Sequence, residues 1–318
     1  MQKLRAAVVG VGYLGNFHAQ KYKALEARPE LSVQLVGVCD VHESQAKKIA
    51  SDLAVQAYLR PEDLLGQVDA VTISTITPTH YELARFFLQA GLHVNVEKPI
   101  CLRVSEAQEL VKLAAEKKRV LCVGHSERFN PAFRELKNQV QNPRFIEFNR
   151  YAPFKVRGSD VSVLHDLMIH DLDLMLSMDS SPCRLVTAQA GMLATKTYDW
   201  CSATFEFASG LKAQVNSSRL AKEMTRTIRA LDSQHIHLSN LQTGELEQTR
   251  LTGNAESPVG FEVRNVGRGD NLLAETESFL QAIRGQNNHA VRGDEALKAL
   301  ELVETIIASI EPSQTGAS

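Results

Sequence analysis

The chain has 318 residues, 44% of them apolar and 23% charged, which predicts a globular protein long enough for two domains. Its formal charge of −2 at pH 7 leaves no basic footprint for nucleic acid or an anionic membrane surface. No apolar run approaches the ~20 residues a membrane-spanning helix needs. Five cysteines (Cys39, Cys101, Cys122, Cys183, Cys201) are an odd number without CxxC spacing. Reduced thiols and a cytoplasmic location are therefore expected. The opening MQKLRAAVVGVGYLG runs from basic to apolar, but it is rich in Gly and Val and no small-residue cleavage site follows, so a signal peptide is not expected.

In chain order, LRAAVV (4–9) reads as a strand buried on both faces. Gly10-Val11-Gly12-Tyr13-Leu14-Gly15 follows, then a helical mixture, NFHAQKYKALEA. SVQLVGVCD (32–40) is a second strand ending on Asp40, residues 43–53 are helical in pattern, and 70–75 is another apolar strand. A helix over 81–90 leads to strand HVNVE (93–97), and Lys98-Pro99 precedes a helix over 105–117 and a strand over 119–124. Strands alternating with helices imply right-handed βαβ units and a parallel sheet.

That context gives GxGxxG its meaning. Gly10 allows the tight turn, Gly12 lets backbone approach a pyrophosphate, and Gly15 permits close helix–strand packing. The N–H groups at the helix start point at the phosphates. Asp40 lies 25 residues after Gly15, and Arg28-Pro29-Glu30 accounts for a spacing beyond the usual ~20. A carboxylate there accepts hydrogen bonds from ribose hydroxyls and repels a 2′-phosphate. No Arg or Lys stands at Val41 or His42, so NAD is expected over NADP. Lys98 sits at the carboxyl end of a parallel strand, the edge where ligands bind in such sheets, and Pro99 restricts it and could form a cis bond.

Asn130 is a candidate helix cap with Pro131 at the first helical position, beginning a helix to about Val140. Strands dominate afterwards: 145–153, 186–193, 200–209 and 211–219, with Ser-Gly in FEFASGLKAQV as a hairpin signal. TRTIRALDS and HIHLSN continue the pattern. Between them lies LHDLMIHDLDL (164–174), where charged groups stand among leucines. On a helix Asp166 and His170 share a face with Asp173 beside them, while His165 and Asp171 point elsewhere. A histidine with an unperturbed pKa near 6.5 suits proton abstraction, and an adjacent carboxylate raises its basicity. A metal site and a solvated helix face are the alternatives; a metal would need further ligands, and the cysteines offer none at recognisable spacing.

Taken together, GVGYLG, Asp40, ITPTHYELA (76–84), EKP (97–99) and DLMIHDLDL resemble the Gfo/Idh/MocA oxidoreductase family, and the likeness extends through the helical ending at 271–307. The resemblance implies an N-terminal NAD-binding Rossmann domain (1–123) with a doubly wound parallel sheet. It also implies a C-terminal α/β substrate and oligomerisation domain (124–318) with an open, mostly antiparallel sheet and terminal helices at about 271–311. The implied activity is oxidation or reduction of a sugar or cyclitol hydroxyl. The implied catalytic triad is Lys98, Asp166 and His170: His170 the general base, Lys98 the group that holds and polarises the oxygen, Asp166 the substrate-binding orienter. The cofactor would meet Gly10, Gly12, Tyr13, Leu14, Gly15 and Asp40. Beyond them it would meet Thr75, Pro78, His80, Glu97 and Lys98, with no metal.

VGYLGNFHAQKY, GHSERFNPAF, DLMIHDLDL and the FEFASG hairpin are most similar to the bacterial UDP-N-acetylglucosamine 3-dehydrogenase group, some relatives of which carry a virulence-factor label. This implies a 3-keto nucleotide sugar made for a partner aminotransferase toward lipid A. Two departures stand beside the expected pocket: His165 replaces an aliphatic residue, and Arg157-Gly158-Ser159-Asp160 replaces a Ser-Thr-Asp type of run. Arg128, Arg150, Lys155, Arg157 and Arg219 are candidate diphosphate ligands, and Tyr151 and Phe154 candidate stacking surfaces. A free sugar or inositol is the alternative substrate, and a non-catalytic NAD- and sugar-sensing regulator the alternative class. An open sheet has an edge or face to bury, so a homodimer or homotetramer is expected.

Overall fold

The apolar run at the start of the chain forms strand β1 (Leu4–Val9), whose last four residues are fully buried. In the computed structural model, which describes residues 3–155 and 161–310, the chain divides into two units. Residues up to Ser126 together with Asp270–Leu297 make the first, and Glu127–Gly269 with the residues from Lys298 make the second.

The first unit is a six-stranded sheet. Beside β1 stand β2 (Val33–Cys39), β3 (Gln56–Tyr58), β4 (Ala70–Ile73), β5 (His93–Glu97) and β6 (Leu121–Gly124), in the order β3-β2-β1-β4-β5-β6. Every pair is parallel. The crossovers are α1 (Tyr13–Leu25), α2 (Glu43–Leu53), α3 (His80–Gln89) and α4 (Val104–Lys117). From β1 the chain moves first to one side and then, at β4, to the other, the switch point at which doubly wound sheets bind ligands. Gly10, Asp40, Thr75 and Lys98 all follow the carboxyl ends of their strands.

A later helix, α7 (Asn271–Ile283), groups with this first unit, whereas the sequence placed 271–311 with the second domain. The reason is burial. Leu280 is fully buried among Ala6, Val8, Ala19, Tyr22 and Leu25, and Phe279 packs with Ala70, Cys122 and Ala290. Helical periodicity reveals an apolar face but not which sheet it covers.

The second unit holds α5 (Pro131–Gln139), β7 (Phe145–Tyr151), α6 (Ile169–Met178) and β8 (Cys183–Gly191). It continues with β9 (Trp200–Phe207), β10 (Lys212–Ser218), β11 (Thr225–Leu231), β12 (His235–Asn240), β13 (Glu245–Leu251) and β14 (Val259–Asn265). The eight strands run in the order β14-β13-β12-β11-β7-β10-β9-β8. All pairs are antiparallel except β7 with β10, which is parallel. Asn130 caps α5 as its sequence predicts, accepting the Ala132 N–H at 3.0 Å. The Ser-Gly hairpin joins β9 to β10, with Gly210 at φ +91°. On β7, Ile146, Phe148 and Arg150 are buried and Phe145, Glu147, Asn149 and Tyr151 are not, so one face carries the core. The final helix, α8, spans Gly293–Ile310. Among the described residues no helix is long and apolar enough to cross a membrane.

Leu280→Ala removes the apolar plug that α7 places in the first unit. It is expected to lower stability by about 2–5 kcal/mol, read as a lower urea midpoint by circular dichroism.

Candidate active site

In the first unit the glycine turn is shaped by two steric demands. Gly10 has φ +80°, and a Cβ there would stand 2.6 Å from the Thr75 side chain. A Cβ on Gly15 would stand 1.8 Å from the Gly10 carbonyl oxygen, so α1 can leave the turn this closely only from a glycine. Gly12 instead faces space with nothing within 4 Å of a Cβ. That gap, at the start of a 13-residue helix, suits a pyrophosphate held by backbone N–H groups. Tyr13 is exposed beside it and packs edge-on to Phe17. Leu14 is half-buried.

Asp40 closes the turn from β2. Its Oδ2 accepts the Val11 N–H at 2.9 Å and its Oδ1 the His42 N–H at 2.9 Å. The carboxylate is thereby aimed before any ribose arrives. After β4, Thr79 donates its hydroxyl to Thr75 at 2.7 Å, and Pro78 lies in the short helical turn between them. His80 is buried, its ring nitrogens 2.9 Å from the Pro99 carbonyl and 3.2 Å from the Thr75 carbonyl. Burial holds its pKa below the usual value, against the pull of both carbonyls. It fastens the Lys98-Pro99 segment, whose peptide bond is cis, to the loop after β4. Lys98 itself is half-buried. Glu97 is buried beneath it, with Oε1 2.7 Å from His18 Nε2 and Oε2 accepting the Lys98 N–H at 3.3 Å.

The second unit carries Asp166 and His170. The segment expected to be one helix opens with a π-helical turn, Leu164–Met168, before α6 begins at Ile169. Such turns are rare and recur at functional positions. Leu164, Met168, Ile169 and Leu172 face the core, while Asp166 and His170 are half-buried. Ser162 lies 3.1 Å from His165 Nδ1 at the entry to the turn. Asp166 and His170 belong to no convergent set of three metal-ligand types among the described residues.

Beneath this helix lies a group of buried charges. Arg150 grips Asp171 through Nε at 2.9 Å and Nη2 at 2.8 Å, and donates from Nη1 to Glu127 at 3.1 Å. Arg226 and Asn130 also donate to Glu127. Burial works against the Arg150 charge, and Asp171 and Glu127 more than offset it, holding the guanidinium above its usual value. Burial likewise opposes ionisation of Glu127, and the Arg150 and Arg226 charges hold its carboxyl below the usual range. A second pair, Arg128 with Asp173, is bidentate at 2.8 Å on both arms.

Several expected substrate ligands therefore stand elsewhere. Arg150 is committed to Asp171 and Glu127. Arg128 is 15% exposed in its side chain and clamps Asp173, which makes it a support for α6. Tyr151 bonds Asn149 on the face of β7 opposite Arg150, so it is not brought together with Asp166 and His170. Strand alternation is the reason. Arg219 is buried and donates to the Val161 carbonyl at 2.6 Å. Arg157 lies outside the described residues. The sequence signal for the buried network was present: FIEFNRY puts Arg150 in phase with Ile146 and Phe148, hence inward.

The residues 4–125 match the model of the oxidoreductase family with an NAD-binding Rossmann fold, and residues 138–233 match the Gfo/Idh/MocA C-terminal domain. The chain belongs to the Gfo/Idh/MocA family. It is an NAD-binding oxidoreductase acting on CH–OH groups, of the sugar dehydrogenase type. A UDP-N-acetylglucosamine 3-dehydrogenase from Acidithiobacillus ferrooxidans is 36% identical over 287 residues, covering 89% of this chain and 90% of that one. A solved structure of that enzyme aligns with a TM-score of 0.89 at 33% identity, over 98% of this chain and 99% of the other. An inositol 2-dehydrogenase from Rhizobium meliloti is 27% identical over 329 residues, covering 96% and 97% of the two chains.

Arg150→Met strands the buried Asp171 carboxylate and leaves Glu127 with Arg226 and Asn130; it is expected to destabilise the second unit by about 3–5 kcal/mol, read as a lower denaturant midpoint. Asp40→Ala unties Val11 and removes the carboxylate expected to meet the ribose, so calorimetric NAD affinity should fall about tenfold or more.

Proposed function

We propose that this protein oxidises C3 of UDP-N-acetylglucosamine to the 3-keto sugar with NAD, in the cytoplasm, and that the product goes to an aminotransferase for lipid A or another surface glycan. The observation that carries this reading is the 36% identity to a UDP-N-acetylglucosamine 3-dehydrogenase across nearly the whole of both chains. Bound NAD supplies the hydride acceptor. His170 takes the hydroxyl proton on its imidazole as the carbonyl forms. Lys98 donates a hydrogen bond to the same oxygen and stabilises the negative charge that develops there. Asp166 orients the substrate. The rigid mounting of Lys98, between a buried Glu97 and the His80 clamp on Pro99, supports its role as a fixed donor.

Self-association fits the same reading. The outer strands β13 and β14 expose Leu251, Phe261 and Val263 at 78, 69 and 58%, apolar surface that a second copy could cover. The inositol 2-dehydrogenase relative favours a free cyclitol or sugar as the second candidate substrate.

NADH absorbance is expected to rise with UDP-N-acetylglucosamine and NAD in the presence of a carbonyl trap, and not with free hexoses or inositol. Turnover of inositol alone would assign the second substrate, and tight NAD binding without any turnover would sink the enzymatic reading. His170→Ala and Lys98→Ala should each lower kcat by about a hundredfold to ten-thousandfold, while light scattering reports the dimer or tetramer.

A further inference from the structure

The first unit buries three ionisable side chains together: Glu97, which mounts Lys98, and two that the chemistry above leaves unused. His18 on α1, Glu97 at the end of β5 and Glu275 on α7 are 0, 7 and 3% exposed. Their ligand-type atoms lie within 4.8 Å of one another. His18 Nε2 is 2.7 Å from Glu97 Oε1, and Asn95 donates to Glu275 Oε1 at 3.2 Å. Gly124 on β6 closes the space, since a Cβ there would stand 2.9 Å from Glu97 Oε1. Glu275 Oε2 and His18 Nδ1 have no hydrogen-bond partner among the described residues.

Ionising both carboxylates beside one imidazolium would leave a net negative charge in an apolar frame, at a cost of several kcal/mol. One further proton removes it. Burial, together with the Glu97 charge, pushes the Glu275 carboxyl up to about 8. Burial opposes charge on His18, and the Glu97 bond outweighs it, so the ring sits above its usual value. Glu97 is held below the usual range, burial again being outweighed by His18. The other groups facing the cluster are Lys21 toward His18, His80 and Lys98 toward Glu97, and Tyr22 and Cys122 beside Glu275. Lys21 is engaged by Asp270 at 2.7 Å. A shared proton suits the geometry better than a metal. The 2.7 Å His18–Glu97 contact is a hydrogen-bond length, shorter than the edge of about 3.3 Å that a tetrahedral zinc site needs.

We propose that His18, Glu97 and Glu275 form a buried triad of zero net charge that positions Lys98: an ion pair between His18 and Glu97, kept free of a second negative charge by protonated Glu275, fixes the end of β5 against the helix that follows the glycine turn. The inference rests on Lys98 acting at the reacting oxygen, as proposed above. Two of the three elements are the ones that hold cofactor and lysine, and the third, α7, enters the first unit from late in the chain. Raising the pH deprotonates Glu275 and sets a second charge beside Glu97, which loosens the mounting.

The stability consequence has a definite sign. The Glu275 value in the folded chain lies above the ordinary carboxyl value of 4.5. Its contribution is therefore full below 4.5 and is lost as pH rises through about 8. Glu275→Gln keeps the shape and cannot ionise. Its melting temperature relative to the native chain should climb between about pH 5 and about pH 8; a difference flat with pH overturns the triad. His18→Gln can still donate to Glu97 but carries no charge. With the sugar that turns over, its kcat should fall about tenfold to a hundredfold, with a shifted alkaline limb in the pH profile and calorimetric NAD affinity held within about twofold. An unchanged kcat and pH profile in His18→Gln, alongside loss of turnover in Lys98→Met, sinks this inference alone. Retained turnover in Lys98→Met sinks the underlying assignment of the lysine.

Discussion

Arg150 decides how α6 is held on the sheet of the second unit. It stands at an inward position of β7, where the strand otherwise places Ile146 and Phe148, and it meets Asp171 in a two-armed bond. A buried pair of this kind gives little net stability over an apolar replacement, because desolvation offsets the attraction. Its geometry still permits few arrangements. With Asp171 held from the strand and Asp173 held by Arg128, α6 cannot turn about its axis. The directions of His170 and of Asp166 one turn earlier follow from the hold of these two arginines on α6.

The two units treat buried charge differently. Around Glu127 the charges balance, with Arg150 and Arg226 facing Glu127 and Asp171, and no proton is needed to make them so. The buried triad around Glu97 is odd in number, one imidazole against two carboxylates, and the proton proposed on Glu275 balances it. An odd set of buried charges thus sits under the segment that carries Lys98, and a paired set under the segment that carries His170.

Much of the first unit was legible because its signals are local. A strand buried on both faces reads as an unbroken apolar run, and a turn that excludes Cβ atoms reads as glycine at fixed spacing. The helix cap at Asn130 was equally local. What the sequence hid was relational. α7 shows an apolar face, yet nothing in it names the sheet that Phe279 and Leu280 cover. The strands β13 and β14 were missed because only Leu246 among their residues is buried, so burial imposed no alternation on them. The π-helical turn at Leu164–Met168 left no mark on the spacing of apolar residues. Arginine is ambiguous in sequence, since Arg128 and Arg150 look like anion ligands until the carboxylates they clamp are seen. Tyr151 is the instructive case: alternation already placed it opposite Arg150, and only the inward position of Arg150 was needed to say which face that was.

The late arrival of α7 bears on how the protein is made. A nascent chain that has emerged through β6 has all six strands of the first sheet, yet the surface around Ala6, Tyr22 and Ala70 lacks the cover that Phe279 and Leu280 supply. Cover comes only after the whole second sheet has been synthesised. Domains generally fold as units during synthesis, N-terminal first, but here the first unit waits for a helix that follows the whole second sheet in the chain. The cofactor-binding unit is therefore the first to begin folding and among the last to finish.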